Sequence, residues 1–262
     1  VQLPVVSLGY LAKDRLAQPL TAHSRFQHAM NLMADDGQLL TLLDASRYPN
    51  LPDAIRVQLP HGWDWRRMTG ELTGLEHAEI WQPQITPVPP EQRPQHYATL
   101  VKALIRQPVE SELMLLPGGD STKRQPHIFA QDSAEKLTFQ VLRLIGFGGG
   151  LTPDGDDYLL GYLAGLWRWQ TAPRIARHYR LMQEIIASHL TRTNDISAHY
   201  LRRALDGHFS EPLCDLLMLL ATPASDDIVH SAAQNVMQFG ASSGTDCLAG
   251  LLHGMRTLQT TL

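Results

Sequence analysis

The chain has 262 residues, of which 44% are hydrophobic and 18% charged, with a formal net charge of −4. A weakly acidic chain without a run of Lys or Arg offers no electrostatic footprint for nucleic acid or an anionic membrane surface. Its longest apolar runs, Tyr158–Trp167 and Leu216–Ala221, fall well short of the ~20 residues that span a bilayer.

Two cysteines, Cys214 and Cys247, lie in apolar helical contexts. They fit a reducing compartment better than a disulfide framework. No signal-peptide pattern and no Cys/His zinc spacing is visible, so the expected location is the cytoplasm.

Residues 1 to about 20 carry weak periodicity, with one short helix around Ala12–Ala17. Phe26–Leu32 and Leu39–Leu43 flank Asp35, Asp36 and Gly37, a turn sequence suited to a hairpin. Ile55, Val57 and Leu59 alternate before Pro60 and read as a third strand, and Leu72–Trp81 has room for another. Residues 1–90 are therefore expected to form a β-rich domain, a barrel or a sandwich. Trp63 and Trp65 read as rim or core anchors rather than as a stacking platform.

The stretch from Pro83 to Pro94 holds five prolines, which suits a linker or an extended crossing and forbids regular helix. Beyond it the periodicity turns helical, and residues 91–262 are expected to form a mainly helical domain, giving an α+β chain overall. Tyr97–Arg106 places Leu100, Val101, Leu104 and Ile105 on one stripe. Pro117, Gly118, Gly119 and Asp120 mark a turn. Ser133 caps a helix through Ile145 that buries Leu137, Val141, Leu144 and Ile145 and ends at Gly146. Pro173–Leu190 is amphipathic, with Ile175, Tyr179, Met182, Ile185 and Ile186 inward. The polar run from Thr191 to Ser197 breaks it before Ser197–Leu205 resumes. Leu213–Leu220 and Ile228–Phe239 read as two more helices.

The most informative feature is a match within the chain. Gly155, Asp157, Leu159, Gly161, Leu163 and Gly165 recur at the same spacing as Gly244, Asp246, Leu248, Gly250, Leu252 and Gly254. The pattern predicts an internally repeated device, a Gly-rich loop feeding the N-terminus of a buried helix. Residues four apart share a helical face, so each copy carries an Asp-Gly-Gly stripe. Glycine inside a helix costs roughly 1 kcal/mol against alanine, and close backbone approach is the reason to keep two of them. The obvious partner for each stripe is the other, which would bring Asp157 and Asp246 together at two helix N-termini.

Gly148, Gly149 and Gly150 could place backbone N–H groups in one concavity for an anion, or could simply connect. Thr152 before Pro153 reads as an N-cap with proline at the first helical position. Asp154, Asp156 and Asp157 then fill the first turn, where they favour the helix dipole and repel bare phosphate. A phosphate there needs a bridging Mg²⁺, a nearby cation or an offset toward the glycines; otherwise no cofactor is expected. Thr191, Arg192, Thr193 and Ser197 offer hydroxyls and a cation to a small polar ligand, or cap helices. His199 reads as a packing or surface residue. Ser242 and Ser243 stand in the second copy where Pro153 and Asp154 stand in the first, and Gly244 matches Gly155, so one loop is acidic and the other hydroxylic.

At these segments the chain resembles the AllH family, the small subunit of the oxamate carbamoyltransferase assembly. The resemblance is carried by GGGLTPDGDD (148–157), TRTNDIS with Tyr200 and Leu201, FGASSGTDCLAG (239–250) and AMNLMADDGQLLTL (29–42). The family commonly has histidine before the two hydroxyl residues of the last motif, where this chain has Ala241. The resemblance implies a role in allantoin and purine breakdown, in which oxalurate and phosphate give oxamate and carbamoyl phosphate. It also implies companion subunits, one similar to acyl-CoA synthetases and one from a second uncharacterised family.

On that footing Asp157, Asp246, Thr193 and Ser197 are the candidate catalytic residues. Gly148, Gly149, Gly150, Thr152, Asp156, Thr191, Arg192, Ser242, Ser243 and Gly244 are candidates to bind the small carbamoyl or carboxylate substrate and phosphate. The alternatives are a non-catalytic docking subunit and a small-anion-binding subunit of a metabolic complex.

Overall fold

The structure is a computed structural model that describes residues 1–116, 119–240 and 242–262. Part of the turn expected at Pro117–Asp120, and Ala241, lie outside the described residues. The chain is α+β, a mixed sheet followed by helices, and divides into two compact units. One is Val1–Pro83 with Phe209–Glu211, and the other is Gln84–His208 with Pro212–Leu262.

The first unit is built on β1 (Gln2–Gly9), β2 (Leu20–Arg25), β3 (Ala29–Ala34), β4 (Leu39–Asp44), β5 (Ala54–Val57), β6 (Glu71–Thr73) and β7 (Glu79–Trp81), with helix α1 at Ala12–Leu16. The strands follow the order β2-β3-β4-β5-β1-β6, and β7 also pairs with β1. The expected hairpin is β3–β4, closed by Gly37 at φ +78°, where a side chain would be strained. All six residues of β4 are buried, as suits a strand inside the sheet. The strand with the most neighbours, β1, is one the sequence pattern leaves unmarked. Pro4 interrupts its donors, and a register shift between Val5 and Ser7 breaks its alternation. Beneath the sheet Leu3, Leu8, Leu40, Ile55, Trp63 and Trp65 share a core. The two tryptophan rings meet edge to face at 5.3 Å, so they are core anchors.

The second unit opens with the extended proline stretch, pinned by Val88 N–H to the Arg168 carbonyl at 2.8 Å. Its helices are α2 (Tyr97–Ile105), α3 (Ala134–Leu144), α4 (Asp154–Trp167), α5 (Pro173–Ala187), α6 (Asp195–Leu205), α7 (Glu211–Leu219), α8 (Asp226–Met237) and α9 (Ser243–Thr261), α7 starting on a residue grouped with the first unit. Helix α2 buries Leu100, Ala103 and Leu104, whereas Ile105, expected inward, is 66% exposed. The packed stripe therefore follows Leu100, Ala103 and Leu104, and Ile105 falls beyond its edge at the last turn. Ser133 caps α3 through the Lys136 N–H, and Ser225 caps α8 in the same way through the Ile228 N–H.

Helices α4 and α9 pack along each other in this unit, with most of their residues buried. Glycine sets how closely they pack. A Cβ on Gly161 would sit 1.9 Å from the Cys247 carbonyl oxygen, and one on Gly250 would sit 2.0 Å from that of Tyr158. Further along, Gly165 faces the Leu251 carbonyl at 2.7 Å and Gly254 faces that of Tyr162 at 2.8 Å. The contacts advance together along both helices, so α4 and α9 run parallel and start side by side. They are also reciprocal, since Cys247 and Leu251 match Tyr158 and Tyr162 in the paired motifs. Gly155 packs on the Leu144 carbonyl of α3, and Gly244 on the Val236 carbonyl of α8.

Candidate functional site

The shared start of α4 and α9 gathers a cluster of buried carboxyls and hydroxyls. Asp154, Asp156 and Asp157 come from the first turn of α4 and Asp246 from that of α9, each at most 9% exposed. The Asp-Gly-Gly stripes place Asp157 and Asp246 here, because the faces that carry Gly161 and Gly250 are the ones in contact. Among the described residues none of the four makes an ion pair with Lys, Arg or His. Partial positive charge from two helix N-termini offsets some of their negative charge.

Each carboxyl has its own set of partners. Asp156 is saturated: Oδ1 accepts the Gly146 N–H at 2.8 Å, and Oδ2 accepts the hydroxyls of Thr193 and Ser197, the latter at 2.6 Å. Asp154 Oδ1 accepts Ser242 Oγ at 3.1 Å, and its Oδ2 accepts the Glu112 N–H at 2.8 Å. Asp246 Oδ1 accepts Ser111 Oγ at 2.6 Å, while among the described residues its buried Oδ2 has no partner. Asp157 Oδ2 is likewise buried and unpartnered. Thr152 Oγ1 and Ser243 Oγ share a hydrogen bond of 2.8 Å across the two helix starts.

Burial pushes Asp246, Asp157 and Asp156 toward the neutral form. Asp246 is raised to about 8, by burial first and then by the Asp154 charge, while the Ser111 hydroxyl pulls it back. Asp157 is raised well above the usual carboxylate range by burial, with Asp246 adding to it and the Ser243 and Thr152 hydroxyls opposing. Burial also raises Asp156, against hydrogen bonds from Ser197, Thr193 and Gly146. Behind the cluster, Tyr158 OH meets His253 Nδ1 at 2.6 Å, and Tyr162 OH meets His178 Nε2 at 2.7 Å and Thr257 Oγ1 at 3.0 Å. Burial holds both histidines near 4, so they are neutral over the ordinary pH range. His199 is buried, a packing residue.

Several candidate residues sit differently from expectation. Pro153, not Thr152, occupies the cap position of α4, and helical geometry begins at Asp154. Thr152 makes no side-chain cap; its hydroxyl is engaged with Ser243 instead. Three of the first backbone N–H groups of α4 already have carbonyl partners: Gly155 donates to Phe147, and Asp156 and Asp157 donate to Pro153. Gly148, Gly149 and Gly150 form an exposed loop, and Gly148 (φ +112°) abuts Asp154. Gly244 is buried against α8. Thr193 and Ser197 reach the cluster through Asp156, whereas Thr191 and Arg192 are exposed. Among the described residues no group of three His, Cys, Asp or Glu side chains is placed to hold a metal ion.

Sequence reasoning passed over Ser111 altogether. It lies 135 residues from Asp246 in an aperiodic stretch between α2 and α3, where one serine gives no signal.

Fold and site together define a class: a two-unit α+β chain with a buried acid–hydroxyl cluster where two parallel glycine-striped helices begin. The model described as the AllH family N-terminal domain matches residues 6–80, and that described as oxamate carbamoyltransferase subunit AllH matches residues 144–255. The chain belongs to the AllH family. The second match contains all four aspartates of the cluster but not Ser111. No solved structure matches the chain. No helix among the described residues is long and apolar enough to cross a membrane.

Proposed function

We propose that this chain is the subunit of an oxamate carbamoyltransferase assembly in which the carbamoyl-bearing substrate is bound and oriented at the acid–hydroxyl cluster. In the reaction, oxalurate and phosphate give oxamate and carbamoyl phosphate, a step of purine and allantoin breakdown. Phosphate oxygen bonds to the carbamoyl carbon, the bond from that carbon to the oxamate nitrogen breaks, and the nitrogen takes up a proton. Companion subunits, one similar to acyl-CoA synthetases, complete the assembly in the cytoplasm.

The observation that carries this reading is the pair of unpartnered, buried carboxyl oxygens on Asp157 and Asp246, side by side with the hydroxyls of Thr152 and Ser243. Each of these carboxyls, held toward its neutral form, accepts one N–H of a carbamoyl NH₂ group at its carbonyl oxygen and can donate its O–H to a ligand oxygen. A neighbouring hydroxyl donates to the carbamoyl oxygen as it gains charge. Groups fixed in this way before the substrate arrives lower the barrier by orientation and by electrostatic stabilisation. The same cluster repels bare phosphate, so phosphate enters from the side of the Gly148–Gly150 loop, alone or carried with Mg²⁺.

The test is turnover by the assembly reconstituted with its companion subunits, with and without Mg²⁺. Asp157→Asn and Asp246→Asn are expected to lower kcat/KM for oxalurate about 100-fold, as the loss of one preorganised polar contact does. Unchanged turnover by both variants in a complete assembly sinks the proposal. Failure of the complex to assemble, with the chemistry of any residual complex intact, would place the chain as a docking subunit.

A further inference from the structure

The cluster has four aspartates and no ion-paired cation among the described residues, yet the proposed substrates each carry an oxyanion. We propose that Arg124, stacked on Phe147 beside the Gly148–Gly150 loop, holds that oxyanion (phosphate or carboxylate) just outside the acidic cluster. This assignment rests on the reading of the cluster as the carbamoyl site.

Arg124 belongs to the segment between α2 and α3 that is fastened over the helix starts. Its backbone pairs with that stretch, the Arg124 N–H donating to the Glu112 carbonyl at 3.2 Å and the Met114 N–H to the Arg124 carbonyl at 2.8 Å. The same stretch reaches the cluster through Glu112 N–H on Asp154 and Ser111 Oγ on Asp246. One anchored segment thus contacts two of the four aspartates and carries a cation.

The guanidinium is oriented by two contacts. Its central carbon lies 3.8 Å from the centroid of the Phe147 ring, and Nη1 donates to the Arg143 carbonyl at 2.5 Å. Stacking on an aromatic face fixes the plane of the fork while leaving its edge available for a planar or tetrahedral oxyanion. Among the described residues Nε and Nη2 have no hydrogen-bond partner, and the side chain is only half-buried. Three donors on a held plane are therefore unused.

Phe147 leads directly into Gly148, Gly149 and Gly150, all exposed. A Cβ on Gly149 or Gly150 would meet nothing within 4 Å, so bare backbone there faces open space. At its other side the loop touches the cluster, since a Cβ on Gly148 would lie 2.7 Å from the Asp154 nitrogen. Along this path the chemistry changes from cation and bare amide backbone to carboxyl and hydroxyl. A ligand with an oxyanion at one end and an amide at the other, such as oxamate, fits that order.

The test uses the full chain with inorganic phosphate and with oxamate as probes in calorimetry, then the reconstituted assembly for KM and kcat. Arg124→Gln is expected to weaken both probes about tenfold or more, the loss that goes with one charge-assisted hydrogen bond. It should raise the KM for phosphate more than it lowers kcat. Arg124→Lys, which keeps the charge without the stacked fork, is expected to fall between wild type and Arg124→Gln. Equal phosphate affinity and KM in the wild type and in both folded variants would overturn the assignment, because an arginine that only braces α3 would act on stability and not on phosphate KM. If Arg124→Gln unfolds, Arg124→Lys decides on the same readout. Asp157→Asn serves as the separate control. It should weaken oxamate and spare phosphate, and if oxamate is unaffected while Arg124→Gln still loses phosphate, the carbamoyl-site reading fails and the oxyanion site stands.

Discussion

Alanine at Gly161 is the sharpest probe of the architecture, because the added atom has nowhere to go. Its Cβ would lie 1.9 Å from the Cys247 carbonyl oxygen, with the carbonyl carbon at 2.7 Å, and real Cβ contacts essentially never fall below 3.0 Å. To restore normal contact α4 and α9 must part by about 1 Å, and both obstacles are backbone atoms that cannot change rotamer. Overpacking of this kind costs about 3–4 kcal/mol, at or beyond the top of the usual range for inserted methyl groups. Alanine returns about 1 kcal/mol through helix propensity. The net destabilisation expected is about 2–3 kcal/mol, seen as a lower urea midpoint by far-UV circular dichroism and a Tm drop of roughly 5–10 °C. Two companions calibrate it. Gly165→Ala, with its nearest obstacle at 2.7 Å, should lose less. Gly149→Ala, with nothing within 4 Å and an ordinary φ, should be neutral or slightly stabilising, by up to about 1 kcal/mol. Equal midpoints for Gly161→Ala and Gly149→Ala would refute backbone contact between the two helices.

Stability should fall as pH rises from about 6.5 to 8.5. Asp246 holds its proton up to about 8 when folded and releases it near 3.8 when unfolded, so its contribution is full below 3.8 and is lost as pH rises through 8. Asp157 is shifted in the same direction. His178 and His253, lowered to about 4, act oppositely between 4 and 6.5 and leave the upper window to the carboxyls. The slope there approaches about 1.4 kcal/mol per pH unit for each such carboxyl, and urea midpoints of Asp246→Asn should show a shallower decline; a wild-type profile flat from 6.5 to 8.5 would contradict the shift. Ser111→Ala removes the hydroxyl that donates to Asp246 Oδ1 and is expected to lower stability by about 1–3 kcal/mol, read from the same urea midpoints. An unchanged midpoint would mean that the segment is not fastened through this bond.

What could be read from the sequence follows period and spacing. The Asp-Gly-Gly stripes announced two helices in backbone contact, because a pair of glycines four apart inside an apolar helix has few other reasons. The capped start of α3 at Ser133 and the turn at Gly37 were legible as local chemistry. Strand β1 was not, since Pro4 and its register shift erase alternation in a strand whose place is set by β5, β6 and β7. The cap of α4 moved by one residue because Thr152 binds Ser243, 91 positions away, instead of its own helix. Ser111 and Arg124 were invisible for the same kind of reason: each matters through what the fold brings to it.

The four aspartates also differ in what they have left to offer. Asp156 has every acceptor engaged, by one backbone N–H and two hydroxyls that come from the break before α6 and from α6 itself. It ties α4, α6 and the Gly146 turn together, and in doing so occupies Thr193 and Ser197. Asp154 is divided between Ser242 and Glu112, so it joins α9 and the covering segment to α4. Of these four, Asp157 and Asp246 keep a buried oxygen without a partner among the described residues, and those two sit at matching positions of the two glycine-striped helices. Burial holds both of these acids toward the neutral form, so each carboxyl has a carbonyl oxygen that accepts and an O–H that donates. On the proposed reading, that pairing is what lets one carbamoyl group, with N–H donors and a carbonyl oxygen, be held between the two helix starts.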